Sequence, residues 1–109
     1  MALYMTQAAY TAEAWAAMTK HPQDRTIPLT EMLQKLGGRL ITHYYCFGEY
    51  DGVTIFEAPD DIAASAIVLA AVSAGHVKLV KTTRLLTVQE AMEAMGKAGS
   101  IVYQAPSKE

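Results

Sequence analysis

Residues Ile62-Ala63-Ala64-Ser65-Ala66-Ile67-Val68-Leu69-Ala70-Ala71-Val72-Ser73-Ala74-Gly75 run without a single charge. Pro59 and the pair Asp60-Asp61 open this stretch as a helix, with two acids at the positive end of its dipole. A helix on the surface of a lone domain needs a polar face, and this one offers only two serines. It is also shorter than the roughly 20 residues that span a bilayer. Such a helix is expected to be covered on both sides, and so short a chain suggests that the second cover is another subunit. The plainer alternative is a face of small alanines left in water.

The segments on either side complete a fold. Upstream, Val53 to Ala58 is a β-branched and aromatic run, and Gly48-Glu49-Tyr50-Asp51-Gly52 joins it to a second strand over Arg39 to Phe47 as a hairpin. Before that strand, Leu29, Met32, Leu33 and Leu36 recur at helical spacing, and Gly37-Gly38 supplies a left-handed C-cap. A polar loop from His21 to Pro28 precedes this helix. Ala2 to Ala9 reads as the first strand, and Thr11 caps a first helix that carries Trp15 and Met18 and stops at Pro22. Downstream, His76 to Leu86 is the fourth strand. Thr87-Val88-Gln89-Glu90 is a capping box that opens a last helix with Met92 and Met95.

The order is two βαβ units around a central hairpin: an α+β domain with a ferredoxin-like βαββαβ antiparallel sheet, helices on one face and an extra C-terminal helix. The domain is expected over 1–99 and a tail over 100–109, where Ile101-Val102-Tyr103 can add an edge strand or dock on a neighbour. The strands are apolar on both faces, so two copies placed sheet against sheet are expected to form a dimeric α/β barrel.

The chain has 109 residues, 51% hydrophobic and only 18% charged, against about 25% charged in ordinary soluble domains. Net charge is −2 and the nine Lys and Arg are scattered. Nucleic acid is therefore not an expected partner, and no basic amphipathic segment points to a membrane surface. One cysteine, Cys46, and a start without a cleavable leader pattern favour the cytoplasm. The expected partners are the chain itself, as a homodimer or larger, and a small molecule.

Candidate chemistry sits on few residues. On the second strand His43 and Tyr45 are expected to share a face with Ile41 and Phe47, and Thr42, Tyr44 and Cys46 the other. His43 and Tyr45 facing an enclosed apolar space can act as a catalytic acid/base pair on a compact phenolic or carbonyl substrate. Arg84 or Arg25 can anchor an anion, Glu57 can serve as a base if buried, and Trp15 can pack on a substrate. Each has a plainer structural reading: interface filling for His43 and Tyr45, solvated or ion-paired side chains for the charged residues, core for Trp15. The three histidines lack metal-site spacing, and no cofactor is expected; His76 is the residue that would ligate a haem iron.

Leu36-Gly37-Gly38-Arg39-Leu40, Tyr44-Tyr45-Cys46-Phe47-Gly48-Glu49-Tyr50-Asp51 and Phe56-Glu57-Ala58-Pro59-Asp60-Asp61 together resemble the GYD-domain family. The similarity runs on through Ser73-Ala74-Gly75-His76-Val77 and Lys81-Thr82-Thr83-Arg84. The family signature is Gly-Tyr-Asp, here interrupted by Glu49. The resemblance implies the dimeric α/β-barrel superfamily, whose members include cofactor-free monooxygenases, lactone isomerases and haem proteins. Fold alone does not transfer an activity. The residues leave three functions open: a small-molecule-binding homo-oligomer, with cofactor-free proton transfer, isomerisation or oxygenation as its reaction if it is an enzyme; a non-catalytic assembly or regulatory module; and, last in order, a haem-binding protein.

Overall fold

The computed structural model describes residues 1–107. Its elements are β1 (Ala2–Tyr10), α1 (Ala12–Lys20), α2 (Thr26–Lys35), β2 (Arg39–Tyr45), β3 (Gly52–Ala58), α3 (Asp61–Ser73), β4 (Val77–Leu85) and α4 (Val88–Ala98). The four strands form one antiparallel sheet in the order β2-β3-β1-β4. This is the ferredoxin-like arrangement, with β1 and β3 central and the hairpin partner β2 at one edge.

Local chemistry sets the helix limits. Thr11 Oγ1 accepts from the Ala14 N–H and Asp60 Oδ1 from the Ala63 N–H, so two orphan donors at helix starts are satisfied. Thr87 and Glu90 exchange both bonds of a capping box. The expected loop from His21 to Pro28 is shorter, because α2 starts at Thr26. Pro28 falls in the first helical turn, where its missing N–H would be unbonded anyway. Asp24 makes that start possible by accepting from both the N–H and the hydroxyl of Thr26. β4 likewise begins at Val77, one residue after the expected His76.

Alternation along the strands gives the sheet two unlike faces. Tyr4 and Phe56 are paired across β1 and β3 and point toward the helices, with Ala58, Leu33, Ala64 and Ile67 closing the core. The Tyr4 and Phe56 rings stack with centroids 5.4 Å apart. On the opposite face the register lines up Leu3, Met5, Val53, Ile55, Tyr44, Leu79 and Leu85. Tyr44 and Leu79 are exposed there, and among the described residues no helix is packed against this face.

A bulge in β2 between Leu40 and Thr42 shifts the expected face assignment. His43 and Tyr45 share the helix-side face with Leu40, not with Ile41, which sits at the bulge and is exposed; Phe47 lies beyond the strand and is fully exposed. The expected edge strand over Ile101-Val102-Tyr103 does not form within the chain.

The α2–β2 connection is tight. Gly37 adopts φ +76° as a left-handed cap, and the Gly38 N–H reaches back to the Leu33 carbonyl at 2.8 Å. A methyl group on Gly38 would lie 2.6 Å from the Glu57 carbonyl oxygen. Gly38→Ala is accordingly expected to cost about 1–3 kcal/mol through forced displacement of β3, read as a lower midpoint in urea denaturation at unchanged slope.

Candidate functional site

Between the helix-side face of the sheet and the three helices α1, α2 and α3 lies a cavity of about 410 Å³. Its walls are mainly aliphatic, including Met18, Leu29, Met32, Ile67, Val68 and Val80. The polar groups on its lining are Thr6, Tyr10, Gln23, Arg25, His43, Thr54 and His76, with no carboxylate among them. A largely apolar pocket with a few convergent polar groups is the ordinary form of a small-molecule site.

His43 is the polar centre of that wall. Cross-strand pairing sets it opposite Thr54, and its Nδ1 lies 2.8 Å from Thr54 Oγ1. That contact fixes the ring and leaves Nε2, which is buried and has no hydrogen-bond partner among the described residues. A buried unpaired polar atom costs free energy unless something pairs with it. Burial also holds the His43 pKa below the usual histidine range, against a weaker opposing pull from the Asp24 carboxylate. The ring is therefore neutral at physiological pH, and Nε2 either donates or accepts according to which way the Thr54 hydroxyl turns. Because its folded pKa is depressed, His43 contributes stability that is present above about pH 6.5 and is lost as the pH falls through the folded value.

An aromatic cluster backs the site. Tyr45 meets His43 edge-on with ring centroids 5.1 Å apart, and Trp15 and Tyr10 pack on Tyr45 at 6.1 and 6.5 Å. Tyr45 and Trp15 thus support the histidine and do not line the cavity itself. Burial pushes the Tyr10 hydroxyl pKa upward.

The charged candidates separate. Arg25 lines the cavity and its Nη1 donates to Gln23 Oε1 at 3.1 Å; His76 lines it too, exposed just before β4. Arg84 lies elsewhere, in a shallow groove between α3 and β4, where it sits 5.6 Å over the Tyr4 ring and 4.0 Å from Asp61. Glu57 faces the uncovered side of the sheet in a 2.7 Å ion pair with Arg39. Thr54 and Gln23 belong to the cavity without having stood out in the sequence. The Thr54 partnership depends on strand register, and the β2 bulge sets that register.

The family model described as GYD domain matches residues 4–95. The chain belongs to the GYD-domain family. No curated protein matches the chain. Among solved structures, a protein titled FFRP-DM1 is similar at 12% identity and TM-score 0.50, over 79% of this chain and 100% of that one. A hypothetical protein PHS023 from Pyrococcus horikoshii is similar at 13% identity and TM-score 0.51, over 80% and 92%. Identities this low speak for the fold alone.

The GYD signature has a structural job in this chain. Asp51 Oδ2 accepts from the Tyr10 backbone N–H at 2.9 Å and from Trp15 Nε1 at 3.2 Å. Its own N–H donates to the Ala8 carbonyl. The hairpin end is thereby tied to the end of β1 and to α1, beside the aromatic cluster behind His43. Gly52 leaves room for the Tyr10 ring, since a methyl group there would lie 2.8 Å from the Tyr10 hydroxyl and would push the end of that ring aside. The bonds from Tyr10 and then Trp15 hold the Asp51 carboxyl below its usual pKa. Its stabilising contribution is therefore present above about pH 4 and is lost as the pH falls through the folded value. Asp51→Asn should flatten the acid limb of a melting-temperature profile recorded from pH 5 downward, and should lower the melting temperature at pH 7.

Proposed function

We propose that this GYD-domain protein is a small-molecule-binding domain that works as a homo-oligomer, its ligand held in the cavity under α1, α2 and α3. The observation that carries this reading is the buried, unpartnered Nε2 of His43 on the wall of an apolar cavity. A ligand that fits has a compact apolar body and one hydrogen-bonding head that pairs with Nε2. The absence of carboxylates from the lining, with Arg25 and His76 on it, favours a head that is neutral or anionic over a cation.

Proton transfer is the chemistry such a site can support. Neutral His43 has one nitrogen anchored to Thr54 and the other free to take a proton from a hydroxyl or an acidic C–H held against it. The assembly half of the proposal rests on the sheet face bearing Met5, Val53, Ile55 and Leu79, against which no helix among the described residues is packed. A second copy placed sheet to sheet would bury it as the closed barrel expected from the sequence.

The test is a titration of the methyl-labelled protein with phenol and benzoate, followed by NMR. Shifts confined to cavity methyls such as Met32, Ile67 and Val80 are the expected result. Shifts confined to the open sheet face, at Met5 and Ile55, would assign the apolar surplus to assembly alone and remove the binding site.

A further inference from the structure

Two helices of the chain present apolar stripes to solvent, and the stripes match. On α3 the inner side, Ala64 and Ile67, is buried, while Ile62, Ser65 and Leu69 face outward. Ile62 is 82% exposed and Leu69 64%. These three residues advance in steps of three and four, the spacing of a helix-packing seam. α4 has no buried residue at all, and its apolar side is Val88, Met92 and Met95, in steps of four and three. Val88 is 78% and Met95 67% exposed.

The helix α4 also buries none of its residues on the rest of the molecule. The chain measures 60 × 36 × 21 Å with a radius of gyration of 17.9 Å, where a compact domain of this length has about 13 Å. A capped amphipathic helix of 11 residues is too short to be stable alone in water and needs a surface to pack on.

We propose that α4 is an exchanged arm, docking antiparallel on the outer face of α3 in a second copy of this chain. In that register Leu69 of one copy meets Val88 of the other, Ser65 meets Met92 and Ile62 meets Met95. The small Ser65 opens onto the groove shared with Tyr4, Thr82 and Arg84, which gives the flexible Met92 side chain a place to enter. Charge agrees with this direction. Lys97, in the last turn of α4, comes over Asp60 and Asp61 at the start of α3. Antiparallel packing also sets the two helix dipoles in opposition. A parallel arrangement would instead bring Glu90 onto the two aspartates. The proposal is independent of what the cavity binds.

The experiment mixes two full-length chains, both carrying Cys46→Ser, one with Ser65→Cys and the other with Met92→Cys, under mild oxidation. Both substituted positions are exposed, and circular dichroism confirms that each chain folds. The expected product is a disulfide-linked dimer containing one of each chain. A chain bearing both new cysteines, diluted among cysteine-free chains, should form little internal disulfide. Failure of the mixed cross-link, or closure mainly within the doubly substituted chain, would overturn the proposal; the second result would mean that α4 folds back on its own α3.

Discussion

Phe56→Ala is expected to lower the stability of the domain by about 3–5 kcal/mol, measured as the loss of unfolding free energy in urea. Phe56 is 1% exposed and, with Leu33, is one of the two largest fully buried side chains among the described residues. It stacks on Tyr4 from the neighbouring strand and faces Leu40 across the other. Small domains carry only about 5–15 kcal/mol in all, so this one change removes a large share. It should also alter the site, because Phe56 is part of the cavity wall. Loss of the ring joins its vacated space to the cavity, and a bulkier probe such as naphthoate should then bind better than benzoate, the reverse of the order expected for the unaltered protein. An unfolding free energy within 1 kcal/mol of the unaltered protein would contradict the description of the core.

His43→Phe is expected to reduce the affinity for phenol and for benzoate about tenfold or more while leaving toluene nearly unchanged. The size follows from the asymmetry of hydrogen bonding: a head group brought into the cavity without its partner forfeits its water and gains nothing, at a cost of about 1–3 kcal/mol. Toluene has no head to leave unpaired. The same variant should change stability little, since it removes the unpartnered Nε2 but also takes from the Thr54 hydroxyl its partner at 2.8 Å. Its pH profile should in addition lose the decline that His43 imposes as the pH falls below about 6.5. Equal losses for all three probes would mean that the ring acts by packing alone.

The sequence displayed the fold well because the signals were of the kind that local chemistry decides. Thr11, Asp60 and Thr87 cap helices where their side chains predict it, and the Gly37-Gly38 pair turns the chain as a left-handed cap must. Where the reading slipped, the cause was non-local or a competing local bond. Asp24 captures Thr26 and starts α2 earlier than the proline pattern suggests. The bulge near Ile41 depends on how β2 lies against β3, and alternation along β2 alone cannot reveal it.

The site was legible only in part for the same reason. His43, Arg25 and His76 come to one cavity, but residue type gave no means of separating them from Arg84 and Glu57, which tertiary structure sends to other surfaces. Thr54 looks like any strand threonine until register places it opposite His43. The interrupted signature Gly48-Glu49-Tyr50-Asp51 reads as a turn, and its aspartate indeed bonds backbone. Its second bond, to the Trp15 indole, joins segments far apart in sequence and is visible only in three dimensions.

The binding account turns on a single atom, and nitrogen NMR of the His43 imidazole during a phenol titration observes it directly. The account predicts that the Nε2 resonance moves with the saturation of the cavity, by several times more than Nδ1, which stays on Thr54. A protein that binds phenol while both His43 nitrogens stay still, or that binds none, would contradict it.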